Sequence, residues 1–180
     1  MAAETKRGYC LALPWLRLAA TTGDEWAEYH LGLIYDHGLA GRHDRRTAVR
    51  WYERAAAKGY ASAQLNLGII LATRLGRGRD LARAVRLYRQ AARQGRRNAA
   101  YNLGLYYSVG RGVPRSISQA RRWYQQAADL GDRDARRILK DLGRASNPRL
   151  DPPHSGVTAL AQGGKRRATG RAGQAQRWTT

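Results

Sequence analysis

A spacing of 36 residues constrains this chain more than any other feature, and Trp15, Trp51, Leu87 and Trp123 fall on it. Gly23, Gly59, Gly95 and Gly131 do the same. Leu31-Gly32, Leu67-Gly68 and Leu103-Gly104 keep the phase, with Leu139 as a last echo. Ala12, Ala48, Ala84 and Ala120 keep it, as do Ala27, Ala63, Ala99 and Ala135, with no insertion between residues 12 and 139. A period of about 20 to 50 residues marks a repeat array, each copy being one supersecondary unit. Such arrays mostly present extended surfaces to other molecules, so the period points to binding rather than catalysis.

One copy, residues 96–131, shows the unit. From Asn98 to Val109, apolar residues at Ala99, Tyr101, Leu103, Leu105 and Tyr106 predict a helix buried on more than one side. Gly110, Gly112 and Pro114 end it. Ser116 suits the N-cap of a second helix, as do Asp44 and Asp80 in the same phase. That helix runs to about Leu130, and Gly131 suits the left-handed residue beyond it. Ala120, Tyr124, Ala127 and Gly131 lie on one face, with Trp123 beside it. Alanine and glycine permit close helix approach, while Trp123 and Tyr124 supply bulk. Each copy is thus a helical hairpin that buries its faces against its neighbours.

These residues resemble the Sel-one-like repeat, a relative of the tetratricopeptide repeat. The pattern reads Ala99, Leu103, Gly104, Tyr107, then Gly110, Gly112, Val113, then Ala120, Trp123, Tyr124, Ala127, Ala128, Gly131. The resemblance covers roughly residues 12–143. It departs in the second copy, where Arg74 replaces the first loop glycine, Leu71 the tyrosine and Leu87 the tryptophan. The fold it implies is all-α, a right-handed α-solenoid of 36-residue helix-turn-helix repeats with about eight helices.

The phase also divides the chain. Residues 1–23 read as a half repeat, 24–59, 60–95 and 96–131 as three full repeats, and 132–143 as a capping helix. Residues 144–180, rich in proline, glycine, serine, threonine, glutamine and arginine, have no phase and read as a disordered basic tail. A signal peptide is the rival reading of the N-terminal segment, since Lys6 and Arg7 precede an apolar run and Ala19-Ala20 resembles a cleavage site. Arg17 interrupts that run, and the repeat phase accounts for Ala12, Trp15 and Gly23 together. No run of about 18 apolar residues offers a membrane span. Cys10 stands alone, so the cysteine pairs that staple secreted members of the resembled family are absent. A reducing, cytoplasmic location is the expectation, with secretion without a cleaved signal as the alternative. Oligomeric state is left open.

The net charge is +20, carried by 29 arginines and four lysines. Residues 24–59 are neutral, whereas 60–95 carry +6 and 96–131 carry +5. Arg50, Arg86 and Arg122 share one phase and should form an exposed column, with Arg79 and Arg115 as a shorter column at the loop. A field of this sign attracts nucleic acid or another polyanion. The bland alternative is compositional bias toward arginine on solvated faces. The same two readings apply to Lys165-Arg166-Arg167 in the tail.

No catalytic constellation emerges, and neither a cofactor nor a metal is expected. His30, His37 and His43 lie near Asp36 but lack His-x-x-x-His spacing and any supporting cysteine. Gly110-Arg111-Gly112 has no preceding strand and no Gly-Lys-Ser/Thr, so it reads as a turn. Cys10 reads as an inert buried thiol.

The resemblance implies a concave face lined by first helices. Carried onto this chain, the lining is Trp26, Tyr29, Leu33, Asp36 and His37 in the first copy, then Ser62, Leu65, Ile69 and Thr73, then Asn98, Tyr101, Leu105 and Ser108. Tyr29, Leu65 and Tyr101 serve equally well as hairpin core. The reading that results is a non-catalytic scaffold or adaptor holding a peptide or protein partner in that face, with polyanion binding through Arg50, Arg79, Arg86, Arg115 and Arg122 as the alternative.

Overall fold

The computed structural model describes residues 2–41, 43–74 and 78–145, with side chains over 7–41, 43–73 and 80–143. Those residues form eight helices and no strand: α1 (Ala2–Thr21), α2 (Glu25–His37), α3 (Arg45–Ala57), α4 (Ala61–Arg74), α5 (Gly78–Arg93), α6 (Arg97–Val109), α7 (Ile117–Asp129) and α8 (Arg133–Ala145). Each helix packs chiefly on its sequence neighbours. The closest pairs are the hairpins α2–α3, α4–α5 and α6–α7. The tail from residue 146 onward lies outside the described residues.

The glycine phase sets the helix ends. Gly23, Gly59, Gly95 and Gly131 have φ of 86°, 95°, 79° and 91°, and their N–H groups bond back to the carbonyls of Ala20, Ala56, Ala92 and Ala128. This left-handed stop satisfies carbonyls that the helix leaves unpaired. Helix starts are capped by side chains. Asp24 Oδ1 accepts from the Ala27 N–H at 2.6 Å, Asp44 Oδ1 from Thr47 at 3.1 Å and Ser116 Oγ from Gln119 at 3.3 Å. Asp80 departs from the expected cap. α5 begins at Gly78, so Asp80 sits inside the first turn, where its charge suits the helix dipole.

The Leu-Gly pairs form the joint of each hairpin. A Cβ on Gly32, Gly68 or Gly104 would fall 2.5, 2.7 or 2.6 Å from the ring of Tyr52, Tyr88 or Tyr124. Those tyrosines are almost fully buried beside Leu31, Leu67 and Leu103. One continuous core runs from Ala48 to Ala135, and a second cluster of Ala20, Ala27 and Leu31 joins α1 to α2 with help from Leu13, Leu16 and Trp51. The tryptophan phase is less buried than the tyrosine phase, for Trp51 and Trp123 are only partly covered and Trp15 is exposed. Cys10 is also exposed, its thiol donating to the Ala40 carbonyl at 3.3 Å, which corrects the expectation of a buried thiol. It lies on the side of α1 that meets the α2–α3 loop rather than the core.

Candidate functional site

The first helices α2, α4 and α6 place the expected lining residues in three classes. Trp26, Ile69 and Leu105 are apolar and open to solvent, at 54%, 40% and 42% exposure. His37, Thr73 and Asn98 are also exposed. Tyr29, Leu33, Ser62 and Tyr101 are half-buried, and Asp36 is engaged in pairing. Ile69 and Leu105 share a phase with Leu33, while His37 and Thr73 share one with Val109. Val109 is exposed one turn after Leu105 and extends the apolar strip. Its phase-mates are polar, so sequence alone did not single it out.

Trp26 packs at a tilt against His30, with ring centroids 4.0 Å apart. Burial lowers the His30 pKa, so its imidazole is held toward the neutral form. Tyr29 packs on Tyr60 at 4.9 Å and Tyr52 at 6.0 Å. Burial raises its pKa, and a hydrogen bond with Ser62 offsets part of that shift. Tyr101 meets Tyr124 edge-on at 5.7 Å. Tyr29 and Tyr101 therefore serve the hairpin core with one edge and the surface with the other. Asp36 faces Arg45 at 3.4 Å, His37 at 3.9 Å and His43 at 4.0 Å. Thr73 donates to the Ile69 carbonyl at 2.9 Å. A pocket of about 320 Å³ opens between α4 and α6, walled by Leu65, Leu130 and the segment Gly95–Asn98.

The arginines divide between structure and surface. Arg50, Arg86 and Arg122 are exposed on α3, α5 and α7 with no charged partner among the described residues. Arg115 is exposed and donates to the Ser108 carbonyl at 3.0 Å. The Arg79 side chain lies outside the described residues. Others are consumed internally. Arg17 and Arg89 donate to the hydroxyls of Tyr35 and Tyr107, the two pairs 72 residues apart and in one phase. Arg111 reaches the Ala72 carbonyl at 2.8 Å. Where the second copy lacks that tyrosine (Leu71), the arginine is Glu53, which pairs instead with Arg83 at 2.8 Å.

The sequence reading missed a buried charge. Glu28 is fully buried, its Oε1 holding Arg54 Nε and Lys58 Nζ at 2.8 Å each. A signal was available in the phase: Glu28 and Lys58 become Gln64 and Gln94, then Ala100 and Leu130. The amide pair persists as a bond of 3.1 Å between Gln94 Nε2 and Gln64 Oε1.

Comparison with known proteins resolves the family. The Sel1 repeat model matches residues 27–60, 61–95 and 97–132. The chain belongs to the Sel1 repeat family. Sel1 repeats usually mediate protein–protein interaction and are generally non-catalytic. A protective antigen from uropathogenic Escherichia coli strains, displaying the same repeat fold, is 39% identical with a TM-score of 0.70, over 75% of this chain and 29% of that one. A Sel1 repeat protein from Oxalobacter formigenes is 29% identical with a TM-score of 0.68, over 80% of this chain and 65% of that one. The chain thus spans less than two thirds of either relative. Cysteine rich protein B from Helicobacter pylori, at 20% identity and a TM-score of 0.56, shares the fold over 75% of this chain and 97% of its own. None of the curated proteins matches. No described helix is long and apolar enough to cross a membrane.

Proposed function

We propose that this Sel1 repeat protein is a non-catalytic scaffold that holds a peptide or protein segment along the concave face of its first helices. The observation that carries the reading is the apolar strip of Trp26, Ile69 and Leu105, exposed on α2, α4 and α6 in turn. Ile69 and Leu105 repeat one exposed position on successive copies, with Trp26 two turns before its counterpart on α2, and apolar groups left in water along the first helices are best explained by a partner. Half-buried Tyr29 and Tyr101 give the strip rigid aromatic shoulders, the kind of group that anchors an interface. On the same reading, repeats at 24–59, 60–95 and 96–131 form the platform, flanked by the half repeat 1–23 and the capping helix 132–143. The single exposed thiol suits a reducing, cytoplasmic compartment.

A second reading has its own observation, the exposed column of Arg50, Arg86 and Arg122, with no charged partner among the described residues. The two separate by surface and by salt. Peptides selected from a displayed library on the immobilised full chain should lose about 2 kcal/mol or more on Trp26→Ala or Leu105→Ser. They should bind the Arg50→Gln, Arg86→Gln, Arg122→Gln variant normally and depend weakly on salt. A ligand whose log affinity falls by about 0.9 per log unit of salt for each phosphate neutralised, and which the arginine variant releases, sinks the scaffold reading.

A further inference from the structure

A second apolar surface lies on α1. Leu11, Trp15 and Leu18 are 68%, 73% and 60% exposed, and their i, i+4, i+7 spacing puts them on one side of the helix. The other side, with Leu13, Leu16 and Ala19, packs into the Ala20–Ala27–Leu31 cluster. Trp15 shares the phase of Trp51, Leu87 and Trp123, all of which are packed against neighbouring helices. Trp15 therefore stands at the position that interior copies cover by stacking, while Leu11 and Leu18 are apolar where the interior copies carry polar residues.

The last helix of a second chain is a poor cover. α8 has the phase of a first helix, so head-to-tail stacking on α1 would complete a hairpin. Both halves of the joint are missing: Lys140 stands at the glycine phase and Leu16 at the tyrosine phase. α8 also exposes Arg133, Arg136, Arg137 and Lys140, and α1 brings Arg7. Bases would meet bases.

α1 of a second chain fits better, because the stripe is self-complementary. Leu11 and Leu18 are equidistant from the Pro14–Trp15 bond. A two-fold axis there sets each Leu11 against the other chain's Leu18 and brings the Trp15 rings together at the centre. The antiparallel arrangement also lays the Arg7 end of each helix beside the exposed Asp24–Glu25 end of the other. The attraction is local, in a chain whose overall charge of +20 repels its copies. The three side chains offer on the order of 350 Å² of apolar surface per chain. Two chains together would bury about 700 Å², below the roughly 1,200 Å² of total area typical of tight complexes, which fits a weak, reversible pair. We propose that the protein self-associates as a two-fold dimer through the Leu11–Trp15–Leu18 face of α1.

Sedimentation velocity of the full chain at rising concentration should show a reversible monomer–dimer equilibrium. Trp15→Glu, at a site exposed in the monomer, should preserve the far-ultraviolet circular dichroism and weaken association about ten-fold or more. A chain that stays monomeric throughout, or a dimer that Trp15→Glu leaves intact, overturns the proposal. Register is read by cross-linking in a Cys10→Ser background. Leu11→Cys with Leu18→Cys should give a covalent dimer under mild oxidation, whereas Leu11→Cys alone should not. Equal yields from the two would exclude the antiparallel pair.

Discussion

The rings of Tyr52, Tyr88 and Tyr124 rest where a Cβ on the facing glycine would be, so each hairpin is closed by a bulky residue paired with an absent one. Gly68→Ala should cost about 1–3 kcal/mol through overpacking against Tyr88, seen as a lower urea midpoint. Gly143→Ala is the control, since nothing lies within 4 Å of that helical position. It should gain up to about 1 kcal/mol from helix propensity. Equal and small effects would show that the joint tolerates a methyl group. Tyr88→Ala should cost about 3–5 kcal/mol and exceed Trp123→Ala, because Tyr88 is 2% exposed and Trp123 only partly covered. The tyrosines carry a pH signature as well. Burial raises the pKa of Tyr52, Tyr88 and Tyr124 above 10.0, so the native state keeps protons that the unfolded chain releases. Stability is then full below about pH 10 and falls above it. Urea midpoints across that range should decline less steeply for Tyr88→Phe than for the parent chain.

Each element meets the next through side chains that close the end of a second helix. Arg54 donates to the Ala20 carbonyl, Gln64 to Ala56, Gln126 to Ala92 and Arg136 to Ala128. Four alanines in one phase are thus satisfied by residues of two different phases, as the neighbouring copy permits. The Glu28–Lys58 site and its Gln64–Gln94 counterpart show the same economy, one position tolerating an ionic or an amide pair. Glu28→Gln alone removes the charge that Arg54 and Lys58 share, and should cost about 1.5–3 kcal/mol. Adding Lys58→Gln recreates the second copy's pair and should recover part of that loss. A double-mutant cycle with no coupling beyond about 0.5 kcal/mol would show that the two residues do not act together. Helix number and the glycine stops were readable in advance because glycine and alanine phases report backbone conformation and contact distance directly, whereas the start of α5 was not. Glu28 was not, because an acid on a helix reads as solvated until the neighbouring copy supplies its cations. Cys10 failed for the converse reason: an apolar run on α1 does not say which of its sides has a neighbour.

At the scale of the molecule, apolar and cationic surfaces are separated, the exposed row on first helices and the arginine column on second helices. Trp26 was legible as lining because its phase-mates Ser62 and Asn98 are polar, which core positions rarely are, whereas Leu33, Ile69 and Leu105 form an aliphatic phase whose exposure only the structure shows. Tyr29 and Tyr101 were ambiguous in the sequence and are shared between core and surface in the structure, since a half-buried ring satisfies both patterns. Charge is the term that no single element reveals. Thirty-three bases face thirteen acids, and the described ion pairs engage only a few of them, including Arg45, Arg54, Lys58 and Arg83. The excess repels itself in the folded array more than in the expanded chain. Raising ionic strength from about 0.01 M to about 0.1 M shortens the Debye length from about 30 to about 10 Å, which screens that long-range repulsion while hardly touching contacts near 3 Å. The melting temperature should therefore rise with sodium chloride over this range, and rise less for the Arg50→Gln, Arg86→Gln, Arg122→Gln variant, which lacks three exposed cations. A fall with salt would mean that attractive pairs around Glu28 and Asp36 outweigh the net charge, and that the arginine column is better compensated than its exposure indicates.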